Sequence, residues 1–398
     1  MKIRNIFAAV GAAAMLPASL MMSGATVSEA LLATADITRR AAYISAGADI
    51  SPQDTEVKAE LAYGETAETT DITLFTAEAA EPIPLAAESL ESSPDTIETD
   101  EPQQQQAEAQ VISQNITPYN DGLDYTAAGT NSGSIVRRTY APSDTGGYIT
   151  LTSGAQVRNC THVTSDELIT TAEELPQFRI ELNSPEPQVL IVHTHTTESY
   201  EPYSRDYYDA DFPTRTRDPR HNMIAVGEVL AQTLAENGIS VLHDGTVHDY
   251  PSYTGSYDRS EETIRAALEQ YPSIKIVIDL HRDAMAEDDG TRIAPVAEID
   301  GKDAAQFMII AGCDDGRFNM PDYMENYKLA ALLQNFAGVM YPELPRAVLF
   351  DYRNYNQHLT TGSLLIEIGS HANSLDEALY CAELLGESMA KALTVIAE

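Results

Sequence analysis

The chain has 398 residues and a formal net charge of −37 at neutral pH. A charge of that sign and size argues against nucleic acid or an anionic lipid surface as a partner. Its three cysteines form no C-x-x-C pair, which excludes a structural zinc knuckle and a disulfide framework, although one disulfide remains open.

The N-terminus carries an export signature. Lys2 and Arg4 precede an uncharged, mostly apolar run over residues 6–22, and small residues follow at 23–25. This pattern predicts a secretory signal or an N-terminal membrane anchor over residues 1–25. The run is somewhat short for a spanning helix of about 20 residues, so both alternatives stay open. In either case we expect the bulk of the chain to be extracytoplasmic, whether exported or membrane-anchored.

An acidic segment follows the apolar run. Between residues 51 and 110 there are 15 Asp or Glu residues, one Lys and few large apolar residues. Such a composition cannot bury enough apolar surface to offset the entropy lost on ordering. The sequence therefore predicts a disordered acidic linker over residues 26–140.

The remainder, 145–398, has the alternating pattern of one α/β domain. Strands are predicted at 148–151, 178–182, 189–192, 239–242, 274–280, 305–311, 347–350 and 363–368. Helices are predicted at 222–237, 258–270, 326–340 and 374–396, the second and fourth opened by capping boxes. The expected fold is a mixed or parallel central sheet flanked by helices.

Three of these apolar strands end in, or carry, a chemically active side chain. His193 and His195 follow residues 189–192, His281 follows 276–280, and Glu367 lies within 364–368. Strand ends are where α/β enzymes place their chemistry. Imidazole and carboxylate groups are also the ligands and the base of catalytic zinc sites. The pattern favours a zinc hydrolase.

Five motifs resemble the stage II sporulation protein P family, in the family's order across about 145–398. They are HTHTTESY at 193–200, HDYPSY with GSY at 248–257, DLHRD at 279–283, YNQ at 355–357 and LLIEIG at 364–369. The resemblance implies a zinc-dependent N-acetylmuramoyl-L-alanine amidase of the amidase_3 class. Such enzymes cut the amide between muramic acid and the stem peptide of peptidoglycan.

The resemblance also implies a set of site residues. His195 matches the family's first zinc ligand, and His193, one pleat earlier, is a second candidate for the same strand. Asp218 matches an acidic ligand four residues before an Asn that opens a helix, with Asp in place of the usual Glu. His281 matches the last ligand. Glu367 matches the catalytic base, which activates a zinc-bound water.

Other expectations follow from the residues and the resemblance together. Arg282 is expected to orient the site or bind a substrate carboxylate, and it is also a candidate for stabilising the oxyanion. Glu198 is either a contact within the site or a solvated loop residue. The implied partners are peptidoglycan, a lytic transglycosylase of engulfment and, through the N-terminus, the membrane. Two alternatives remain: a zinc peptidase acting on stem-peptide cross-links, and a metal-free wall-binding scaffold.

Overall fold

The computed structural model describes residues 108–398. Their helices are α1 (Ser165–Ala172), α2 (Met223–Glu236), α3 (Ser256–Gln270), α4 (Tyr323–Met340) and α5 (Leu375–Thr394). Their strands are β1 (Val111–Gln114), β2 (Gly133–Arg138), β3 (Tyr148–Thr150), β4 (Gln156–Asn159), β5 (Val189–Val192), β6 (Tyr207–Tyr208), β7 (Val241–Asp244), β8 (Ile276–Asp283), β9 (Arg292–Ile299), β10 (Lys302–Ala305), β11 (Phe307–Cys313), β12 (Val348–Tyr352) and β13 (Ser363–Ser370). No helix within 108–398 is both long and apolar enough to cross a membrane. The predicted signal or anchor over 1–25 lies outside this range.

Nine strands form one mixed sheet in the order β1-β7-β5-β8-β13-β11-β12-β4-β3. The strands from β1 to β13 in that order run parallel, and β11 pairs antiparallel with β13. Strands β12 and β4 then run parallel to β11. The predicted α/β class with a mixed central sheet is therefore confirmed. One consequence is that the carboxyl ends of β5, β8 and β13 meet the amino ends of β11, β12 and β4 at one edge of the sheet.

The helices cover the sheet because their apolar faces match its buried strands. All four residues of β5 are buried, as expected for a strand covered on both faces. Asn222 caps α2 through its side chain, and Ser374 with Glu377 forms the predicted capping box of α5. The box predicted at 258–261 is wrong, because α3 starts earlier, after the left-handed Gly255.

A smaller four-stranded sheet, β10-β9-β2-β6, lies outside the sequence predictions. Its strands β9 and β10 precede β11, which was predicted, and form an antiparallel hairpin. In contrast, the strand predicted at 178–182 does not form. Only Ile180 pairs there, in a single bridge with Ala397 near the C-terminus. Five alternating residues do not form a strand by themselves, because a strand also needs a neighbouring strand to pair with.

The predicted linker ended too late in the chain. Residues 108–140 contain β1, which pairs in parallel with β7, and β2, which pairs with β9. Gln114 and Asn115 also donate side-chain hydrogen bonds to Asp244, at 2.7 and 2.8 Å. Main-chain pairing with an existing sheet edge does not require an apolar sequence, so composition alone missed it. The folded region thus begins before residue 145, and residues 26–107 of the predicted linker lie outside the described range.

The three cysteines remain free thiols. Cys160 is exposed, whereas Cys313 and Cys381 are buried. The disulfide that the sequence left open does not form in the described structure.

Candidate active site

Three neighbouring parallel strands bring two predicted imidazoles and the predicted base to one edge of the sheet. Strand β8 lies between β5 and β13, and Glu367 is directly opposite His281 in the β13–β8 register. His195 follows the end of β5, and its ring centre lies 5.2 Å from that of His281. The structure therefore brings His195, His281 and Glu367 together where α/β proteins commonly carry a ligand site.

The imidazole of His281 is buried between two carboxylates. Its Nε2 lies 2.9 Å from Asp279 Oδ1, and its Nδ1 lies 3.6 Å from Glu198 Oε2. The Nε2 contact is not aligned as a hydrogen bond, so this nitrogen has no hydrogen-bond partner among the described residues. Burial favours the neutral ring, but the two carboxylates outweigh it and raise the pKa of His281 well above its ordinary value. This position therefore favours positive charge.

The structure places a further carboxylate, that of Glu198, beside His195, His281 and Glu367. Its Oε2 accepts the backbone N–H of Arg282 at 3.2 Å, and its Oε1 accepts a side-chain bond from Arg215 at 3.2 Å. Burial opposes its ionisation, but the nearby His281 and the two arginines lower the pKa of Glu198 to about 2. Of the two roles left open by the sequence, the structure supports a buried contact within the site. In the sequence, the feature that could have indicated this role is the position of Glu198 three residues after His195.

Glu367 is partly buried, and one of its carboxylate oxygens is buried without a partner. Its Oε2 forms no hydrogen bond with the residues of 108–398. Burial is the main cause that raises the pKa of Glu367 to about 8, and the nearby Glu198 and Asp283 carboxylates add to it. A buried carboxyl with an unpaired oxygen is rare in folded proteins, because desolvation without a hydrogen bond is costly.

His195 lies at the open side of the group, under an aromatic wall. Its Nδ1 is 3.4 Å from Ser256 Oγ, and its Nε2 forms no hydrogen bond within the described residues. Tyr253 stacks on the ring with centres 4.4 Å apart, and Tyr257 meets it edge-on at 5.6 Å. Since 59% of Tyr253 is exposed, a ligand that reaches His195 passes this ring.

His193 is not part of the group, contrary to the sequence expectation. It is completely buried, and its Nδ1 donates to the Leu280 carbonyl oxygen at 3.1 Å. Its Nε2 lies 3.0 Å from His243 Nε2. Both ring nitrogens are therefore occupied, and burial lowers the pKa of His193 to about 3. With no free nitrogen, the ring is a packed element of the core.

Asp218 is also held away from the imidazoles. Its two oxygens accept from Arg220 Nε at 2.9 Å and from an Arg220 terminal nitrogen at 2.6 Å. It makes no hydrogen bond or ion pair with His195 or His281 in the described structure. The segment does lead into α2 through Asn222, as the family pattern implies, but the carboxylate beside the rings is that of Glu198.

Arg282 does not present its guanidinium to the site. Its side chain is buried and donates to three backbone carbonyl oxygens: Ser199 at 2.9 Å, Thr214 at 2.8 Å and Asp283 at 3.2 Å. These bonds fix the loops after β5, including the loop that carries Glu198. Of the roles expected for Arg282, this arrangement corresponds to orienting the site, and its described bonds leave no oxyanion or substrate contact.

No ready-made metal site exists in the part of the chain that the structure describes. Within 108–398, no three His, Cys, Asp or Glu side chains are arranged to hold a metal ion. The chemistry nevertheless suits one, because His281 Nδ1 lies 3.6 Å from Glu198 Oε2 and the His195 ring centre lies 5.2 Å from that of His281. Glu367, opposite His281 in the register, adds a carboxylate oxygen without a hydrogen-bond partner. A metal ion at this edge would have to draw its ligands together.

Comparison with known proteins identifies the relatives of this chain. The model of the family "Stage II sporulation protein P" matches residues 54–390. Stage II sporulation protein P of Bacillus subtilis (strain 168) is 33% identical over 202 residues. That alignment covers 48% of this chain and 47% of the relative, so the chain spans about half the length of the curated protein it matches.

Solved structures similar to this one are N-acetylmuramoyl-L-alanine amidases. The enzyme from Clostridium difficile 630 is 14% identical, with 53% of this chain and 96% of that chain covered and a TM-score of 0.33. AmiC2 of Nostoc punctiforme is 12% identical, with 52% and 94% covered and a TM-score of 0.30.

Proposed function

The chain belongs to the stage II sporulation protein P family, and from this premise we propose that it is a peptidoglycan hydrolase of sporulation. The proposed reaction is hydrolysis of the amide between N-acetylmuramic acid and the stem peptide. The observation that carries the proposal is the buried, unpaired Glu367 carboxyl beside His281. Perturbed titratable groups gathered at a sheet edge are typical of catalytic sites.

We propose zinc as the cofactor, held by His195, Glu198 and His281. Two imidazoles and one carboxylate are a known ligand set of catalytic zinc. His281 Nδ1 and Glu198 Oε2 are 3.6 Å apart, close to the roughly 3.3–3.5 Å between two ligands of one tetrahedral zinc. Asp279 would support His281 from behind, as carboxylates do for zinc-binding histidines. When bound, zinc lowers the pKa of a water molecule and polarises the scissile carbonyl.

Glu367 is the proposed proton carrier. Its raised pKa of about 8 keeps the isolated carboxyl protonated near neutral pH, and positive charge nearby would favour the carboxylate form. As a carboxylate it accepts a proton from the attacking water. It then returns that proton to the leaving amine of the stem peptide. Arg282 contributes indirectly, because it fixes the loop that holds Glu198.

A metal-free wall-binding scaffold is the second candidate. The observation that favours it is Asp218, the carboxylate that the family pattern implies as a ligand, which is paired with Arg220 instead. A peptidase acting on stem-peptide cross-links would use the same side chains as the amidase, so the two enzymes differ only in the bond cleaved. The amidase, the peptidase and the scaffold can therefore be distinguished by the products that they form from peptidoglycan.

One experiment separates these candidates. The purified full chain is incubated with intact peptidoglycan, with and without a chelator, and the released muropeptides are weighed by mass spectrometry. After the glycan has been cut with a muramidase, an amidase is recognised by free stem peptides, a peptidase by uncrosslinked muropeptides, and a scaffold leaves the products unchanged. Zinc content is measured on the same samples. Hydrolysis that survives complete removal of zinc would contradict the proposed cofactor.

The proposed setting follows from the same family. We propose that the protein acts outside the cytoplasm, attached through its N-terminus to the membrane or exported from it. Its proposed partners are peptidoglycan and a lytic transglycosylase of engulfment. Co-purification of such a glycan-cleaving enzyme with the full chain from sporulating cells would support this assignment, and its consistent absence would argue against it.

A further inference from the structure

An open groove of about 500 Å³ lies beside the candidate site, between the loops that follow β1, β5 and β7. Thr197 lines it, and Thr197 lies between His195 and Glu198 in the chain. Arg215 also lines it, and its guanidinium donates to Glu198 Oε1 at 3.2 Å. This space, which we call the loop groove, therefore adjoins the proposed zinc ligands.

The two carboxylates that line the loop groove are already bonded. The side chain of Asp249 is completely buried and accepts from Arg215 at 2.6 Å. Asp121 accepts from the hydroxyl groups of Thr216 and Tyr125. Three of the four charged side chains in the lining thus have partners among the described residues, and the second arginine of the groove is left.

That second arginine is Arg217, which also lines the groove. It makes no hydrogen bond or ion pair with the residues of 108–398, and none of its nitrogens is buried. Its guanidinium carbon lies 3.9 Å from the ring centre of Tyr119 and 4.2 Å from that of Tyr250. Such cation–π contacts hold the charged group in place but do not use its N–H donors. Because there are two rings, loss of one of them leaves the guanidinium held by the other.

The surroundings of Arg217 differ from those of an ordinary surface arginine. Arg158 on β4 is also unpaired in the described structure, but it is exposed and surrounded by water. Arg217 is partly buried against two rings, so less water reaches it. A charge that is partly removed from water attracts an opposite charge more strongly, and the planar fork of an arginine matches a carboxylate. The loop groove is therefore suited to an anionic group of a ligand.

We propose that the loop groove is a subsite for a carboxylate of the substrate, which accepts hydrogen bonds from the free N–H groups of Arg217. This inference rests on the proposed function, because it takes the stem peptide of peptidoglycan as the source of the carboxylate. The stem peptide carries a carboxylate on its γ-linked glutamate, which is its second residue, and another at its C-terminus. The test therefore distinguishes these two sources.

The position of Arg217 favours the glutamate. Arg215 contacts Glu198 and precedes Arg217 by two positions, so the Cα atoms of the two arginines are at most about 7 Å apart. An extended peptide covers that distance with about two residues. We therefore expect Arg217 to bind the second residue after the cleaved amide rather than the more distant C-terminus.

The test measures binding to the full chain by calorimetry. The probe is a sugar-free stem tetrapeptide, which lacks the amide that an amidase cuts. Two further probes carry a carboxamide in place of the glutamate carboxylate or of the C-terminal carboxylate. Arg217→Gln removes the charge and the planar fork but keeps a polar side chain. Arg158→Gln makes the same change at the exposed, unpaired arginine of β4 and is the control.

We expect the wild-type chain to bind the unmodified tetrapeptide. Arg217→Gln should weaken that binding about tenfold or more, the scale of a lost hydrogen bond to a charged group, and Arg158→Gln should not. A carboxamide at the bound residue should weaken binding to the wild type by a similar factor. It should have no further effect on Arg217→Gln, because both changes remove the same interaction. The carboxamide that behaves in this way identifies the source.

Three results would overturn the inference: the tetrapeptide does not bind, Arg217→Gln binds it as tightly as the wild type, or Arg158→Gln weakens binding equally. Circular dichroism verifies folding. If Arg217→Gln is unfolded, the carboxamide probes on the wild type decide, and equal binding of all three probes would reject the subsite.

The muropeptide assay keeps the proposed function separate. Binding that depends on Arg217, with unchanged products in that assay, would support the subsite and reject the hydrolase. Hydrolysis by a chain whose tetrapeptide binding does not depend on Arg217 would do the reverse.

Discussion

Two histidines that are two positions apart at the same strand end have opposite surroundings. His193 is completely buried, and its two nitrogens contact Leu280 and His243. His195 packs against the rings of Tyr253 and Tyr257, with one nitrogen near Ser256 and the other unpaired among the described residues. Within one motif, His193 is thus packed into the core, whereas His195 keeps a nitrogen that is available to a ligand.

The comparison shows that the site is marked by side-chain atoms without a hydrogen-bond partner rather than by residue type. Among the six predicted site residues, His195, His281 and Glu367 keep an atom without a hydrogen-bond partner in the described structure, whereas His193, Asp218 and Arg282 have their polar atoms bonded to neighbours. Ligand binding and catalysis need an unpaired atom at the right place. Substitutions of residues with an unpaired atom should therefore affect zinc binding or activity, whereas substitutions of fully bonded residues should affect stability. The largest difference is expected in zinc binding.

The largest effect is expected from the two carboxylates that are candidate ligands of the proposed zinc, Glu198 and Asp218. Glu198→Gln should abolish zinc binding and reduce hydrolysis to background, because it removes a ligand charge beside His281. Asp218→Asn should keep zinc and activity, and lower the free energy of unfolding by about 1 kcal/mol at most, since its partner Arg220 is exposed. Metal analysis of both variants is the measurement. Zinc loss in Asp218→Asn alone would restore the sequence-based assignment.

The next effect concerns the proton carrier. Glu367→Gln keeps the shape and polarity of the side chain but cannot accept a proton, so hydrolysis should fall by about 10²- to 10⁴-fold. Zinc content and binding to peptidoglycan should not change. Glu343→Gln, at an exposed position, is the matched control and should be fully active. Zinc loss in Glu367→Gln would show that Glu367 is a ligand.

His193 should matter for stability rather than for the metal. His193→Gln leaves the Leu280 carbonyl or His243 without its partner, which should lower the free energy of unfolding by about 1–3 kcal/mol. Zinc content per folded molecule should equal that of the wild type. The measurement is chemical denaturation together with metal analysis. A folded variant without zinc would place His193 in the site after all.

The same residue predicts a pH dependence with a defined sign. Burial lowers the pKa of His193 to about 3, below its ordinary value in the unfolded chain. A depressed pKa means that the stabilisation is complete above about pH 6.5 and is lost as pH falls towards 3, by up to about 1.4 kcal/mol per pH unit. Unfolding of His193→Gln should therefore depend less steeply on pH over this window, and an unchanged slope would contradict the neutral buried ring.

The smallest effect is expected at the aromatic wall. Tyr253→Ala removes the ring stacked on His195, a contact worth about 0.5–1.5 kcal/mol, so KM should rise a few-fold while kcat changes little. Tyr250→Ala is the control, because Tyr250 is similarly exposed but stacks with Arg217 instead. Equal effects of the two substitutions would mean that the wall is a general binding surface without a special link to His195.

The strand ends were predictable from the sequence because their signal is local. Apolar runs such as 189–192 and 276–280 are buried on both faces, and the polar residue that ends each run must lie at the sheet edge. This argument alone predicts that His195, His281 and Glu367 lie close together. It could not separate His193 from His195, because the distinction depends on His243, a residue 50 positions later.

The other errors arose where the outcome depends on distant contacts. Glu198 lies in a loop whose path is fixed by Arg215 and by the backbone and side chain of Arg282. No local pattern encodes those contacts, so the carboxylate was sought at Asp218 instead. Strand β1 was missed for a similar reason, because its order comes from the edge of β7.

The edge position of β1 has a mechanical consequence. It is a four-residue strand at the start of the described range and pairs on one side only, with β7. Tension applied through the preceding chain, as in a protein attached at its N-terminus while bound to a wall, therefore reaches the domain first at the β1–β7 ladder. Since β7 and β5 separate that ladder from β8 and β13, β1 can detach while the strands that carry His281 and Glu367 keep their pairing. Single-molecule pulling from the N-terminal side should record this as a short first extension, after which the edge that carries His281 and Glu367 is still folded.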